Sequence, residues 1–270
     1  MPRSIPTLCG SLAGQPFTFN VKVHNAAYRA LGVDYTFVSF GVEDAAGAVR
    51  AIRTLGIRGM NVTMPHKQAV IPHLDALDDT AREIGAVNTI DNIDGTLTGY
   101  NTDCIGAVRA LQEVTDLSGR RIALLGAGGA SRAIAWGARN AGARITVFNR
   151  TPDRAEALAN DFGLDFGGTL DDFDPQGFDG VVNATSAGFR APDVNPIEGR
   201  LAPHLFVMDA AFIPVRTKLI RDAEALGCRS VDGTRMLLHQ FCGQVELYTG
   251  KTAPLDVMSA ALLDEIARVG

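Results

Sequence analysis

The sequence lacks the usual marks of a metalloprotein, a disulfide scaffold, a membrane protein or a nucleic-acid binder. Four cysteines occur in 270 residues, at Cys9, Cys104, Cys228 and Cys242. None forms a C-x-x-C pair and no histidine cluster lies beside them, which excludes the ligand spacing of a zinc site. Four free thiols in a reducing compartment are expected instead. No run approaches the roughly 20 apolar residues of a membrane span. No long apolar stretch follows the opening MPRSIP, so no secretory leader is expected. These absences predict a soluble, cytoplasmic protein. Basic charge is also short: 25 Lys and Arg stand against 30 Asp and Glu, for a net charge of -5. A broad nucleic-acid surface is therefore not expected. Internal repeats and low-complexity tracts are missing as well.

What remains is an ordinary globular composition, 46% apolar and 20% charged. Its length suits one large domain or two ordinary ones. Residues 33–40 (VDYTFVSF) read as a strand rich in aromatic and β-branched residues. Residues 43–55 read as an amphipathic helix and 57–62 as the next strand. This β-α-β rhythm predicts a parallel sheet. Residues 86–90 and 96–100 flank the Asp/Asn/Gly-rich segment 91–95 and read as a hairpin. A helix follows over 103–114. A second series then begins: strand 121–125, helix 131–141, strand 144–148, helix 153–161, and strands 180–184 and 205–209. Segments 234–248 and 255–269 read as helices. The boundary between two α/β domains falls near the helix after Asp103.

Residues 124–131 (LLGAGGAS) join a strand to a helix. Gly126 permits a tight turn, and Gly128 lets the backbone approach a pyrophosphate. The small Ala130 and Ser131 allow close packing of helix on strand. The helix N-terminus then presents free N–H groups to an anion. An NAD enzyme carries an acidic residue at the end of the next strand, where it bonds the ribose 2′-hydroxyl. Here that strand runs instead into Asn149, Arg150 and Thr151, with Arg154 one turn on. Guanidinium groups suit a 2′-phosphate in geometry and in charge. The pocket therefore reads as one for NADP (NADPH).

Polar residues also gather where three further strands should end: Asn61, Thr63 and Lys67; Asn88; and Asp103. These hydrogen-bonding groups suit a substrate with several hydroxyls. Hydride transfer to or from an alcohol carbon needs a base for the hydroxyl proton, or an acid in reverse. A lysine serves both roles when burial brings its pKa towards neutrality. A neighbouring Asp can orient that amine. Taken alone, Lys67 also reads as a surface residue and Asp103 as an N-cap.

Together these blocks resemble the shikimate dehydrogenase family. NVTMPHK at 61–67 is similar to its N-V-T-x-P-x-K segment, and GAVNT at 85–89 and NTD at 101–103 to its next two blocks. GAGGASR at 126–132 and NRTPDR at 149–154 resemble its NADP site. NATSAG at 183–188 resembles its second cofactor loop, and DGTRMLLHQ at 232–240 its closing block. The resemblance implies an α/β protein with two domains. An N-terminal substrate domain (1–103 and 238–270) would carry the C-terminal helices packed back on it. A Rossmann-type NADP-binding domain would span 104–237. It implies NADPH-dependent, reversible reduction of 3-dehydroshikimate to shikimate. Lys67 and Asp103 would act on the reacting hydroxyl. Thr63, Asn88 and Gln240 would contact the substrate. Gly126, Ala127, Gly128, Gly129, Ala130, Asn149, Arg150, Thr151, Arg154, Thr185 and Gly233 would hold the cofactor. The implied partner is a small ring hydroxy acid, and the assembly a monomer or a homodimer.

The sequence departs from the family in two places. A Ser-x-Ser pair that holds the substrate carboxylate becomes Thr18 and Asn20, inside an unusual stretch at 8–25. That stretch resembles the divergent shikimate dehydrogenase-like branch. Phe212 stands where the family has Tyr, a loss of one hydrogen bond worth about 0.5–1.5 kcal/mol net. The hydride chemistry is left intact and the substrate is opened. Quinate, an aminoshikimate or a related ring acid are alternatives, with slow turnover of shikimate expected. A non-catalytic NADPH-binding sensor is an alternative of another class, against which the retained Lys67 and Asp103 argue. His66 reads as a loop histidine without a role, and Trp136 as packing.

Overall fold

The computed structural model describes residues 5–16 and 18–269. Residues 1–4, the start of the segment read above as leaderless, and Phe17 of the divergent stretch lie outside the described residues. The chain forms two compact units. One comprises the chain up to Thr102 together with Gln240–Val269, and the other Asp103–His239.

The first unit begins with β1 (Thr7–Ala13), α1 (Phe19–Leu31), β2 (Tyr35–Gly41), α2 (Ala45–Thr54) and β3 (Gly59–Val62). β4 (Ala76–Leu77), α3 (Asp79–Ile84), β5 (Thr89–Ile93) and β6 (Thr96–Tyr100) follow. The sheet order is β2-β1-β3-β5-β6-β4. β1 runs parallel to both β2 and β3, whereas β5 is antiparallel to β3 and to β6. The parallel expectation thus holds for the first three strands, and the hairpin reverses one strand of the rest. As a result the carboxyl ends of β1, β3 and β6 and the amino end of β5 share one edge.

Leu12, Met60, Val62, Ile90 and Leu97 build the core on one face with Val49 and Ile52 of α2. Burial of each such side chain stabilises the fold by about 1.5–3 kcal/mol. Asp44 caps α2 by accepting from the Gly47 N–H at 2.9 Å.

The second unit holds α4 (Thr102–Gln112), β7 (Arg121–Leu125), α5 (Gly129–Asn140), β8 (Arg144–Phe148), α6 (Pro152–Phe162) and β9 (Asp165–Gly168). β10 (Gly180–Asn183), β11 (Phe206–Asp209), α7 (Lys218–Ala225) and β12 (Arg229–Val231) complete its sheet. The strand order β12-β11-β10-β7-β8-β9 is all parallel. Counted from β7 this is 6-5-4-1-2-3, the doubly wound dinucleotide-binding order. Its direction reverses between β7 and β10, and ligands of such sheets bind at the carboxyl ends there. Trp136 packs on this unit's core, as expected.

The last helices are α8 (Gly233–Thr249) and α9 (Leu255–Val269). α8 packs on the first unit's sheet through Tyr248, whose hydroxyl donates to Asn61 Oδ1 at 2.7 Å. Gly59 makes room for that ring: a Cβ there would lie 2.3 Å from it.

Two local readings are corrected. Residues 91–93 belong to β5, and the turn is only Asp94 and Gly95, with φ of 50° and 88°. Positive φ at both central positions is the two-residue hairpin geometry that Asp-Gly favours. Asp103 lies inside the first turn of α4 rather than at its N-cap.

Candidate active site

In the second unit, β7 turns sharply at Gly126, whose φ of 112° is strained for any side chain. A Cβ there would also lie 3.0 Å from the Ala184 backbone. Gly128 is the N-cap of α5, and its N–H donates to Ser131 Oγ at 3.1 Å. A Cβ on Gly128 or Gly129 would meet nothing within 4 Å, so this face of the loop is open. Ser131 is fully buried, whereas Ala130 is exposed. The packing role read for Ala130 is therefore wrong: its place in the first turn points it outward, among the free helix N–H groups. Close helix packing occurs further along at Gly137, where a Cβ would lie 2.7 Å from Cys104 Sγ.

A cavity of about 540 Å³ opens beside this loop. Gly126, Ala127, Gly128, Asn149, Arg150, Arg154 and Thr185 line it, with an apolar wall of Leu170, Ala187, Ala191 and Val194. No carboxylate belongs to the lining. Asn149 Nδ2 donates to the Thr151 carbonyl at 2.9 Å, which fixes the turn into α6. Thr151 is the exposed N-cap of α6. The donor set fits NADP: helix N–H groups for a pyrophosphate and two guanidinium groups for a 2′-phosphate. The apolar wall went unnoticed in the sequence because single Leu, Ala and Val residues in loops carry no pattern.

The loop after β10 is held by side chains. Asn183 Oδ1 accepts from the Thr185 N–H at 3.0 Å and hydroxyl at 2.7 Å, and Thr185 Oγ1 accepts from the Ala187 N–H at 3.1 Å. Below them sits the fully buried Asp209. Burial raises its pKa above the usual carboxylate value, against hydrogen bonds from Thr217, Ala211 and Asn183. Gly233 packs against the backbone after β11, where a Cβ would lie 2.6 Å from the Ala210 and Ala211 carbonyl oxygens. Phe212 packs on Phe189 with ring centroids 5.4 Å apart.

In the first unit, the shared sheet edge is knit by backbone and side-chain bonds. The Val62 N–H donates to the Asn88 carbonyl at 2.7 Å, and the Val87 N–H to the Lys67 carbonyl at 2.8 Å. Thr63 and Lys67, both half-buried, and the buried Asn88 thus occupy neighbouring strand ends. The Asn88 carboxamide is anchored: Oδ1 accepts from the Thr102 N–H at 2.7 Å and from Thr89 Oγ1 at 2.8 Å. Gln244 Nε2 donates to Thr89 Oγ1 at 3.1 Å, so α8 supports the same cluster. Gln244 was missed in sequence, being one turn beyond the closing block. Asn61 does not join this group. Strand alternation turns it to the opposite face from Met60 and Val62, towards Tyr248. Gln240 is half-buried on α8. His66 is buried and donates Nε2–H to the Val42 carbonyl at 2.8 Å, so it holds two loops together rather than being idle.

The two departing positions lie at the start of α1. Thr18 is exposed, and its hydroxyl donates to Glu265 Oε1 at 3.0 Å. Asn20 is 9% exposed, and its Oδ1 accepts from the Val21 N–H at 3.0 Å. The Asn20 carbonyl accepts from His24 Nδ1 at 2.8 Å. Burial lowers the His24 pKa to about 4, against the Asn20 carbonyl and Gln244, which favour its charged form.

The four cysteines are buried, and none of them forms a disulfide. Among the described residues no group of three or more His, Cys, Asp or Glu is placed to hold a metal ion. No helix among them is long and apolar enough to cross a membrane.

Comparison with known proteins gives the lineage. The family model for the shikimate dehydrogenase substrate binding domain matches residues 16–90. The model for shikimate / quinate 5-dehydrogenase matches 109–187, and that for the shikimate 5'-dehydrogenase C-terminal domain matches 233–263. The shikimate dehydrogenase (NADP(+)) of Pyrococcus abyssi is 41% identical over 261 residues, covering 95% of this chain and 98% of its own. A shikimate dehydrogenase solved in complex with NADP+ superposes with a TM-score of 0.91 at 35% identity, covering 97% of this chain and 96% of its own. The ligand-free 5-ketofructose reductase of Gluconobacter sp. strain CHM43 also gives a TM-score of 0.91 at 35% identity, covering 96% and 99%. On these matches, which span both units, the chain belongs to the shikimate dehydrogenase family.

Proposed function

We propose that this chain interconverts shikimate and 3-dehydroshikimate, or a close polyhydroxylated analogue, with NADP(H). The observation that carries this reading is the cavity beside Gly126–Gly128, which has two arginines and no carboxylate in its lining. An acidic residue there would repel a 2′-phosphate, whereas Arg150 and Arg154 attract it. The names of the relatives, which pair shikimate with NADP, support the same reading.

When bound, NADP(H) supplies or accepts the hydride. The residues of the chain do the rest. Lys67 takes the hydroxyl proton as the alcohol is oxidised and returns it to the oxygen as the ketone is reduced. Asp103 is the second residue that the family resemblance assigns to the reacting hydroxyl. Thr63, Asn88 and Gln240 bind ring hydroxyls, and the bonds that fix Asn88 hold its amide ready before substrate arrives.

The test is absorbance at 340 nm with NADP or NAD and with shikimate, quinate or aminoshikimate in turn. NADP reduction with one acid supports the reading and names its substrate. Tight NADPH binding with no turnover of any polyhydroxylated alcohol or ketone would replace it with the sensor reading.

A further inference from the structure

We propose that Glu265 is a specificity-determining residue, which turns the Thr18–Asn20 end of the proposed substrate site against a carboxylate and towards a neutral polyhydroxylated ketone. The inference rests on the proposed dehydrogenase function, and on the family resemblance that makes positions 18 and 20 the carboxylate-holding end.

A hydroxyl has a single hydrogen to donate. Thr18 donates its hydrogen to Glu265 Oε1 at 3.0 Å, so it offers an incoming ligand only lone pairs. Glu265 is 7% exposed, and water screens its charge little. Its counter-charge is weak. Arg268 Nη1 lies 3.5 Å away on a 60% exposed side chain, and the same guanidinium is bound to Asp264 at 2.7 Å. Lys22, on the first turn of α1, is exposed to solvent. His24 is buried among Phe37, Tyr28 and Phe241. A carboxylate placed at this end would therefore meet a buried like charge, an arrangement that costs affinity.

The same groups suit a hydroxyl. The Asn20 Oδ1 is already taken by the Val21 N–H, leaving the amide donors for a ligand oxygen. Thr18 Oγ1 can accept the hydrogen of a ligand hydroxyl. One donor and one acceptor side by side match an alcohol rather than a carboxylate. The chemistry of one relative agrees: 5-ketofructose, named for the Gluconobacter reductase, is a polyhydroxylated ketone with no carboxyl group.

The test is NADPH oxidation by the full chain with 5-ketofructose as the neutral probe and 3-dehydroshikimate as the acidic one. The parent is expected to favour the neutral ketone by tenfold or more in kcat/KM. Glu265→Gln is expected to narrow that ratio at least tenfold, through a lower KM for the acid. NADPH binding checks that the variant is folded. Should it fail that check, Glu265→Met, a neutral side chain of similar length, takes its place with the same expectation. A parent that prefers the acid, or a ratio that moves less than twofold in the folded variant, overturns the inference and leaves the dehydrogenase reading standing. Turnover of neither ketone, with NADPH still bound, overturns this inference, and the dehydrogenase reading then stands or falls on the screen with shikimate, quinate and aminoshikimate.

Discussion

Asn183 donates its side-chain amide to the Asp209 carboxylate at 2.8 Å, which ties the carboxyl end of β10 to that of β11. Asp209 also accepts from the Ala211 N–H at 3.0 Å and from Thr217 Oγ1 at 2.6 Å. Through Asn183 this buried carboxylate orders the 183–188 loop that borders the cofactor cavity. Its loss leaves several buried donors without partners, each costing about 1–3 kcal/mol. Asp209→Ala is expected to lower stability by about 3 kcal/mol and to raise the Kd for NADPH. Denaturant unfolding and a fluorescence titration measure the two effects. A lower stability with an unchanged Kd would make the carboxylate a structural anchor only.

Arg150 and Arg154 line the cavity from the end of β8 and the first turn of α6. A hydrogen bond to a charged group contributes about 1.5–3 kcal/mol, which is roughly ten- to hundredfold in affinity. Arg150→Ala is expected to raise the KM for NADPH by at least about tenfold on that scale while leaving the KM for NADH nearly unchanged. The ratio of the two kcat/KM values reads this directly. An equal loss with both nucleotides would assign the arginine to the shared part of the cofactor.

The second unit was the more legible in sequence, and the reason is physical. β7 and β8 are short buried apolar runs bounded by turn residues, and each was read with its observed ends. β1 and α1 were missed. TLCGSLA has a glycine and no β-branched run. It is a central strand only because β2 and β3 flank it, as shown where a Cβ on Gly10 would lie 2.9 Å from the Val38 carbonyl. FNVKVHNAAYRAL mixes Val and Asn, weak helix formers, with a buried face of Phe19, Val23, Ala26 and Ala27. Tertiary contact decides both elements. At the candidate site, the glycine loop and its arginines were legible because backbone geometry and charge require those residue types. The bond from Thr18 to Glu265 spans 247 positions, and no local pattern announces it.

Lys67 lies in the turn that follows β3, with its carbonyl bonded to the Val87 N–H. General acid–base catalysis contributes about 10²–10⁴ in rate. Lys67→Ala is expected to lower kcat by that factor while the Kd for NADPH stays near the parent value, because the cavity lining is drawn wholly from residues 126–194. Stopped-flow or steady-state rates at 340 nm with NADPH titrations separate the two. Equal rates in parent and variant would remove Lys67 from the chemistry.

His24 makes the stability of the first unit depend on pH in a predictable direction. It stacks on Phe37 with ring centroids 4.2 Å apart, is fully buried, and has its pKa lowered from 6.5 to about 4. Between those two values the unfolded chain binds the proton and the folded chain does not. Stability is therefore complete above pH 6.5 and falls as pH drops towards 4. With those pKa values the loss reaches about 2 kcal/mol by pH 5. His24→Phe keeps an aromatic ring against Phe37 and Phe241 but cannot take a proton. It gives up the bond to the Asn20 carbonyl, worth about 0.5–1.5 kcal/mol. The parent is thus expected to be the more stable of the two at pH 7.5, and the order is expected to reverse near pH 5. Urea unfolding at both values tests this, and other titrating groups cancel because they are common to parent and variant. A difference between the two proteins that is the same at both pH values would mean that His24 is protonated as readily in the folded chain as in the unfolded one, and that its burial does not govern its charge.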